Sequence, residues 1–127
     1  MQDTVKALPD LRLMGKPSFC FSFRSDAFDI YHVNDFLRDK GWRLNGQQHP
    51  NALHMCVTRP QTQDGVVDAF ATDLAAAVDY AHNPSREKPA TGAVYGGLPR
   101  GDTAIREMVA GIMMNMLDAQ QDVPPPE

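Results

Sequence analysis

A chain of 127 residues with a net charge of −4 and 43% hydrophobic residues has the size and composition of one globular domain, which excludes wholesale disorder. Its Lys and Arg residues are scattered, which argues against a nucleic-acid groove with its basic stripe, and no apolar run approaches membrane-spanning length. The N-terminal stretch MQDTVKALPD lacks the apolar core of an export signal, and Cys20 and Cys56 form no CxxC pair, so reduced thiols and a cytoplasmic location are expected.

LRLMG (11–15) reads as a short strand broken at Gly15-Lys16-Pro17. In SFCFSF (18–23), Phe19, Phe21 and Phe23 point one way, and Ser18, Cys20 and Ser22 the other. Asp29 caps a helix that runs to about Lys40, with Ile30, Val33, Phe36 and Leu37 on one stripe and Gly41 past its end. WRL (42–44) reads as a short strand, and NGQQHP as a turn. ALHMCVT (52–58) reads as a strand with Leu53, Met55 and Val57 on one face and Ala52, His54, Cys56 and Thr58 on the other. Asp64 is the expected cap of a long helix to about His82 that carries Val67, Phe70, Ala71, Leu74, Ala77, Val78 and Ala81 at helical spacing. About twenty residues without period follow. A last helix is expected from about Thr103 to Ala119, with Ile105, Met108, Val109, Ile112 and Met116 on one face.

This order predicts an α+β fold: a mostly antiparallel sheet with helices packed on one face, then a long loop and a C-terminal helix. The expected segments are 1–10 as a truncated inter-domain segment, 11–82 as the α/β small-domain core, 83–102 as a loop with the TGAVYGG turn, 103–120 as the C-terminal helix and 121–127 as a disordered tail. The other sheet face carries Ser, Cys, His and Thr. It is either solvated or rests against something else.

Several chemistries are weighed against plainer readings. His49, His54, His82 and Cys56 are the metal-ligand candidates. Only His54 and Cys56 share a strand face, and a structural zinc site wants four ligands, so no metal is expected. No G-x-S-x-G elbow is present, and Cys56 reads as structural rather than nucleophilic. TGAVYGG (91–97) combines three glycines with Tyr95 ahead of a helix start. That suits close approach to a ligand, but it is no P-loop, and a flexible turn is the simpler reading. Met113 and Met114, off the main stripe of the last helix, suit adaptable contacts as well as core filling.

Four blocks in order carry a resemblance: "GKP" (15–17), "FDIYHVNDFLRDKGWRLNGQQHPNALHMCVT" (28–58), "TGAVYG" (91–96) and "MVAGIMMNMLDA" (108–119). Together they resemble the C-terminal small domain of the pyridoxal-phosphate-dependent decarboxylase and lyase family of aspartate-aminotransferase fold, most of all its sphingosine-1-phosphate lyase branch. The resemblance covers residues 11 to 120.

It implies a domain that packs on a large domain holding pyridoxal 5'-phosphate, within a homodimer, with the helix-end Trp42 and its polar loop part of a buried domain surface. It implies carbon–carbon cleavage of a phosphorylated long-chain base to a fatty aldehyde and phosphoethanolamine. The cofactor lysine of that family follows a histidine. No His-Lys pair occurs here, and Lys6, Lys16, Lys40 and Lys88 lie outside any such motif. Met1 falls about where the family finishes its inter-domain helix. No catalytic or cofactor-binding residue is therefore carried over, and no activity is expected of the chain alone. Tyr95 and Met116 are the substrate-channel candidates, with Met116 facing a lipid tail. The alternatives are a free-standing ligand-binding or dimerisation module, and part of a pyridoxal-phosphate-dependent amino-acid decarboxylase.

Overall fold

The computed structural model describes residues 1–92 and 103–121, with side chains in the second stretch described over 107–116. It forms two compact units, Met1–Gly97 and Leu98–Glu127. In the first, helix α1 (Gln2–Ala7) leads to strands β1 (Leu11–Leu13) and β2 (Cys20–Ser25), helix α2 (Ile30–Asp39), strands β3 (Asn45–Gln47) and β4 (Ala52–Cys56), a 3-10 turn (Arg59–Thr62) and helix α3 (Val66–His82). The second contains helix α4 (Thr103–Gln121). The sheet order is β1-β2-β4-β3, and every pairing is antiparallel.

The β2–β4 register places Phe21 opposite Met55 and Phe23 opposite Leu53. All four are buried, so one sheet face is a continuous apolar surface. Helix α2 lies against β4 and β3, and α3 packs on α2. Ile30, Val33 and Leu37 from α2 and Phe70, Leu74, Ala77, Val78 and Ala81 from α3 complete the core, joined by Val5 from α1. The expected α+β architecture is thus the observed one.

Helix α2 begins and ends as the sequence indicates. The Asp29 carboxylate accepts the Tyr31 N–H at 3.0 Å. At the other end Gly41 takes φ 93°, a conformation that disfavours any side chain. The Gly41 N–H then bonds the Arg38 carbonyl and the Trp42 N–H bonds the Leu37 carbonyl, both at 2.9 Å. This pair of bonds reverses the chain and drops Trp42 onto α3. The indole N–H donates to Asp73 at 2.8 Å, and the ring meets Phe70 edge-on at 5.1 Å. Trp42 therefore serves the packing of its own unit.

Three expectations are corrected. WRL is not a strand; the strand is Asn45–Gln47, inside the expected turn, and pairing with β4 overrides the weak strand preference of Asn, Gly and Gln. The cap of α3 is Gly65 at φ 79° rather than Asp64, because the 3-10 turn carries the chain into the helix. Phe19 is 68% exposed although it shares the parity of Phe21 and Phe23; it lies just outside the strand.

Tyr31 is buried at the layer boundary, and its hydroxyl donates to the Gln47 carbonyl at 2.6 Å. Burial, with the Asp29 charge second, raises its pKa and keeps that donor protonated.

Phe23→Ala is expected to destabilise the fold by about 3–5 kcal/mol in urea unfolding. Phe19→Ala should stay within about 0.5 kcal/mol of the parent chain. Equal losses at both positions would contradict this assignment of the sheet faces.

Candidate functional site

The segment after α3 is fastened to α2 by one carboxylate. Asp35 accepts the Ala90 N–H at 2.6 Å, the Thr91 N–H at 2.9 Å and the Thr91 hydroxyl at 2.6 Å. The Tyr31 carbonyl lies 3.3 Å from the same hydroxyl, and Thr91 is buried. Sequence separation of 55 and 56 residues makes this a tertiary clasp, and three charge-assisted hydrogen bonds make it a firm one. Gly92 follows; a Cβ there would lie 2.9 Å from Pro89 Cγ, so the close approach that this glycine permits is to its own chain. The clasp fixes the point from which the TGAVYGG segment departs.

Beside the clasp is an open cleft of about 420 Å³, lined by Asp35, Arg38, Asp39, Tyr80, Arg86 and Thr91 among others. Tyr80 and Ser85 share a hydrogen bond of 3.1 Å across it. The two arginines and the hydroxyls would favour an anion, but Asp39 opposes them, and the Asp35 carboxylate is already engaged. No nucleophile paired with a base is present in the lining. Nor does the cleft fit pyridoxal phosphate, because no lysine reaches it. Lys6 pairs with Asp3 at 3.1 Å, Lys40 lies over the Phe36 ring at 5.7 Å, and all four lysines are exposed. No Schiff-base site exists among the described residues.

The histidines named by the sequence are dispersed, with one exception. His82 pairs with Asp10 at 3.0 Å, and His49 occupies the β3–β4 turn at φ 58°. His54 lies on the half-exposed sheet face beside Cys56, and β2 brings Cys20 directly opposite Cys56. Ligand atoms of the three lie within 4.8 Å of one another. The Cys56 and Cys20 sulfurs lie 2.7 Å apart. This contact, then burial, then the charge of Cys56 raise the Cys20 pKa. Sequence reasoning found His54 and Cys56 but not Cys20. The signal was the shared polar parity of SFCFSF and ALHMCVT, which becomes useful only with the register known.

Of the two channel candidates, Tyr95 lies outside the described residues, as does most of TGAVYGG. Met116 is on α4 and 60% exposed; Met108, Ile112, Met113 and Met114 are exposed to a similar degree. Met113 and Met114 thus do not differ in exposure from Met108, Ile112 and Met116 of the expected stripe. No helix among the described residues is long and apolar enough to cross a membrane.

Asp35→Ala is expected to raise hydrogen exchange at the Ala90 and Thr91 amides by roughly 10- to 100-fold, equivalent to about 1–3 kcal/mol. Unchanged protection by NMR would show that the clasp does not hold the segment.

No family model matches the chain. It is 36% identical over 121 residues to the sphingosine-1-phosphate lyase of Oryza sativa subsp. japonica and 34% identical over 122 residues to that of Arabidopsis thaliana. Each alignment covers 94% of this chain and 22% of the relative. Among solved structures, a sphingosine-1-phosphate lyase of Burkholderia pseudomallei K96243 is 46% identical, with a TM-score of 0.69, over 97% of this chain and 23% of that one. The chain therefore spans a little over a fifth of the length of the proteins it matches.

Proposed function

This chain resembles the small domain of sphingosine-1-phosphate lyase along nearly its whole length, and from that premise we propose that it performs that domain's task in a lyase of the same kind. The observation that carries the reading is the agreement of sequence and fold with the Burkholderia enzyme at once, 46% identity with a TM-score of 0.69.

In this reading a large domain supplies pyridoxal 5'-phosphate and its lysine, and two such units form a homodimer in the cytoplasm. Held by that large domain, the cofactor would supply an electron sink for cleavage of a carbon–carbon bond in a phosphorylated long-chain base. The chain described here contributes positioning rather than chemistry. The Asp35 clasp holds the start of the TGAVYGG segment. Tyr95 in that segment and Met116 on α4 border the substrate channel. An exposed methionine-rich helix suits an aliphatic chain, because thioether side chains adapt to irregular apolar shapes.

The test is a chimaera in which this chain replaces the matching segment of the Burkholderia lyase. Turnover of sphingosine 1-phosphate within about tenfold of the parent enzyme is the expected result, a margin of about 1.4 kcal/mol. Met116→Ala in that chimaera should raise KM for a long-chain substrate more than for a short-chain one, with little change in kcat. Tyr95→Phe should lower kcat/KM. A chimaera that folds and holds its cofactor yet turns over no substrate would sink the reading, and unchanged kinetics in both variants would remove Tyr95 and Met116 from the channel.

A further inference from the structure

The polar face of the sheet holds a group of side chains that the proposed lyase role does not use. Cys20, His54 and Cys56 come from two adjacent strands, and their ligand atoms lie within 4.8 Å of one another. The backbone explains why. The Val57 N–H bonds the Phe19 carbonyl at 2.8 Å, which marks residues 19 and 57 as a hydrogen-bonded pair of the antiparallel ladder. Cys20 and Cys56, one step along, are then a non-hydrogen-bonded pair, the type in which facing side chains stand closest. His54 sits two residues before Cys56 on the same strand, so strand alternation returns it to the same face.

A second observation concerns the imidazole. His54 Nδ1 is buried and has no hydrogen-bond partner among the described residues. Its Nε2 lies 3.4 Å from the side-chain amide nitrogen of Asn45, the residue paired with it on β3. Were that amide flipped to present its oxygen to Nε2–H, Nδ1 would keep a free lone pair for an ion. Outer partners of this kind fix the tautomer of metal-binding histidines.

We propose that Cys20, His54 and Cys56 form a binding site for a borderline-soft divalent cation of the Zn2+ type, with a water as the fourth ligand. Two sulfurs and one imidazole are a ligand set that such ions prefer, and three protein ligands leave one position open. Binding forms two metal–sulfur bonds and one metal–nitrogen bond, and the two thiol protons leave to the buffer. The sulfurs now lie 2.7 Å apart. Around a tetrahedral ion with metal–sulfur bonds of about 2.3 Å they would part to about 3.8 Å, which rotation about the side-chain bonds supplies. Cys56 is exposed and Cys20 partly so, which gives an ion access from solvent.

The site rests on the geometry of this sheet and not on the lyase reading, so each can fail without the other. The test uses the full chain, reduced and then held without oxygen, and titrated with Cd2+ as a spectroscopic probe and Zn2+ as competitor. The expected result is one ion per chain, a thiolate-to-Cd2+ charge-transfer band, and loss of that band on addition of Zn2+. Cys20→Ser, Cys56→Ser and His54→Ala should each weaken binding by at least roughly 10- to 100-fold, the loss already typical of outer-shell changes. Circular dichroism of each variant separates lost ligands from lost fold. Binding that survives Cys20→Ser or His54→Ala in a folded chain would overturn the site. So would a Cys20–Cys56 disulfide that persists in a buffer of reduced glutathione, since it would consume both thiolates.

Discussion

The register between β2 and β4 is the constraint on which the rest of the described structure depends. Pairing Phe21 with Met55 and Phe23 with Leu53 gives the sheet its apolar face. The same register sends Cys20, Ser22, His54 and Cys56 to the other face. Because side chains alternate with a period of two, a slip of one residue would exchange the two faces entirely. Burial of four large side chains in the core makes such a slip costly, since each is worth about 1.5–3 kcal/mol when fully buried. The thiols and the imidazole are therefore brought together by the core on the opposite side of the sheet.

Two local devices then organise the helices on that core. The glycine-terminated end of α2 reverses the chain and places Trp42 on Phe70 and Asp73, which ties α2 to α3. The Asp35 carboxylate, two turns earlier on α2, holds Ala90 and Thr91. A single ten-residue helix thus packs on the sheet, anchors α3 and fixes the departure of the following segment. That economy suits a domain whose proposed task is to present a segment and a helix to the substrate of a larger enzyme.

Much of this was legible in the sequence, for identifiable reasons. Asp29 and Gly41 act through contacts within a few residues, and the bounds of α2 follow from them. The alternation in SFCFSF and ALHMCVT separated core from surface at Phe21, Phe23, Leu53 and Met55. Strand β3 was hidden because Asn45, Gly46 and Gln47 have little strand preference, and only the partner strand makes them one. Phe19 misled because parity says which way a side chain points but not whether anything covers it. Asp35 and Cys20 were invisible as site residues because their partners lie tens of residues away. The motif resemblance carried the functional reading, and it did so through blocks spread from residue 15 to residue 119 rather than through any catalytic group.

The most direct test of the account is the register itself, read by NMR in the full chain. A non-hydrogen-bonded antiparallel pair brings the two Hα atoms into close contact. Strong Hα–Hα cross-peaks are expected between Cys20 and Cys56 and between Ser22 and His54, with none between Phe21 and Met55. Cross-peaks shifted by one residue would contradict the account, because the apolar face and the Cys20, His54 and Cys56 cluster would then both be misplaced.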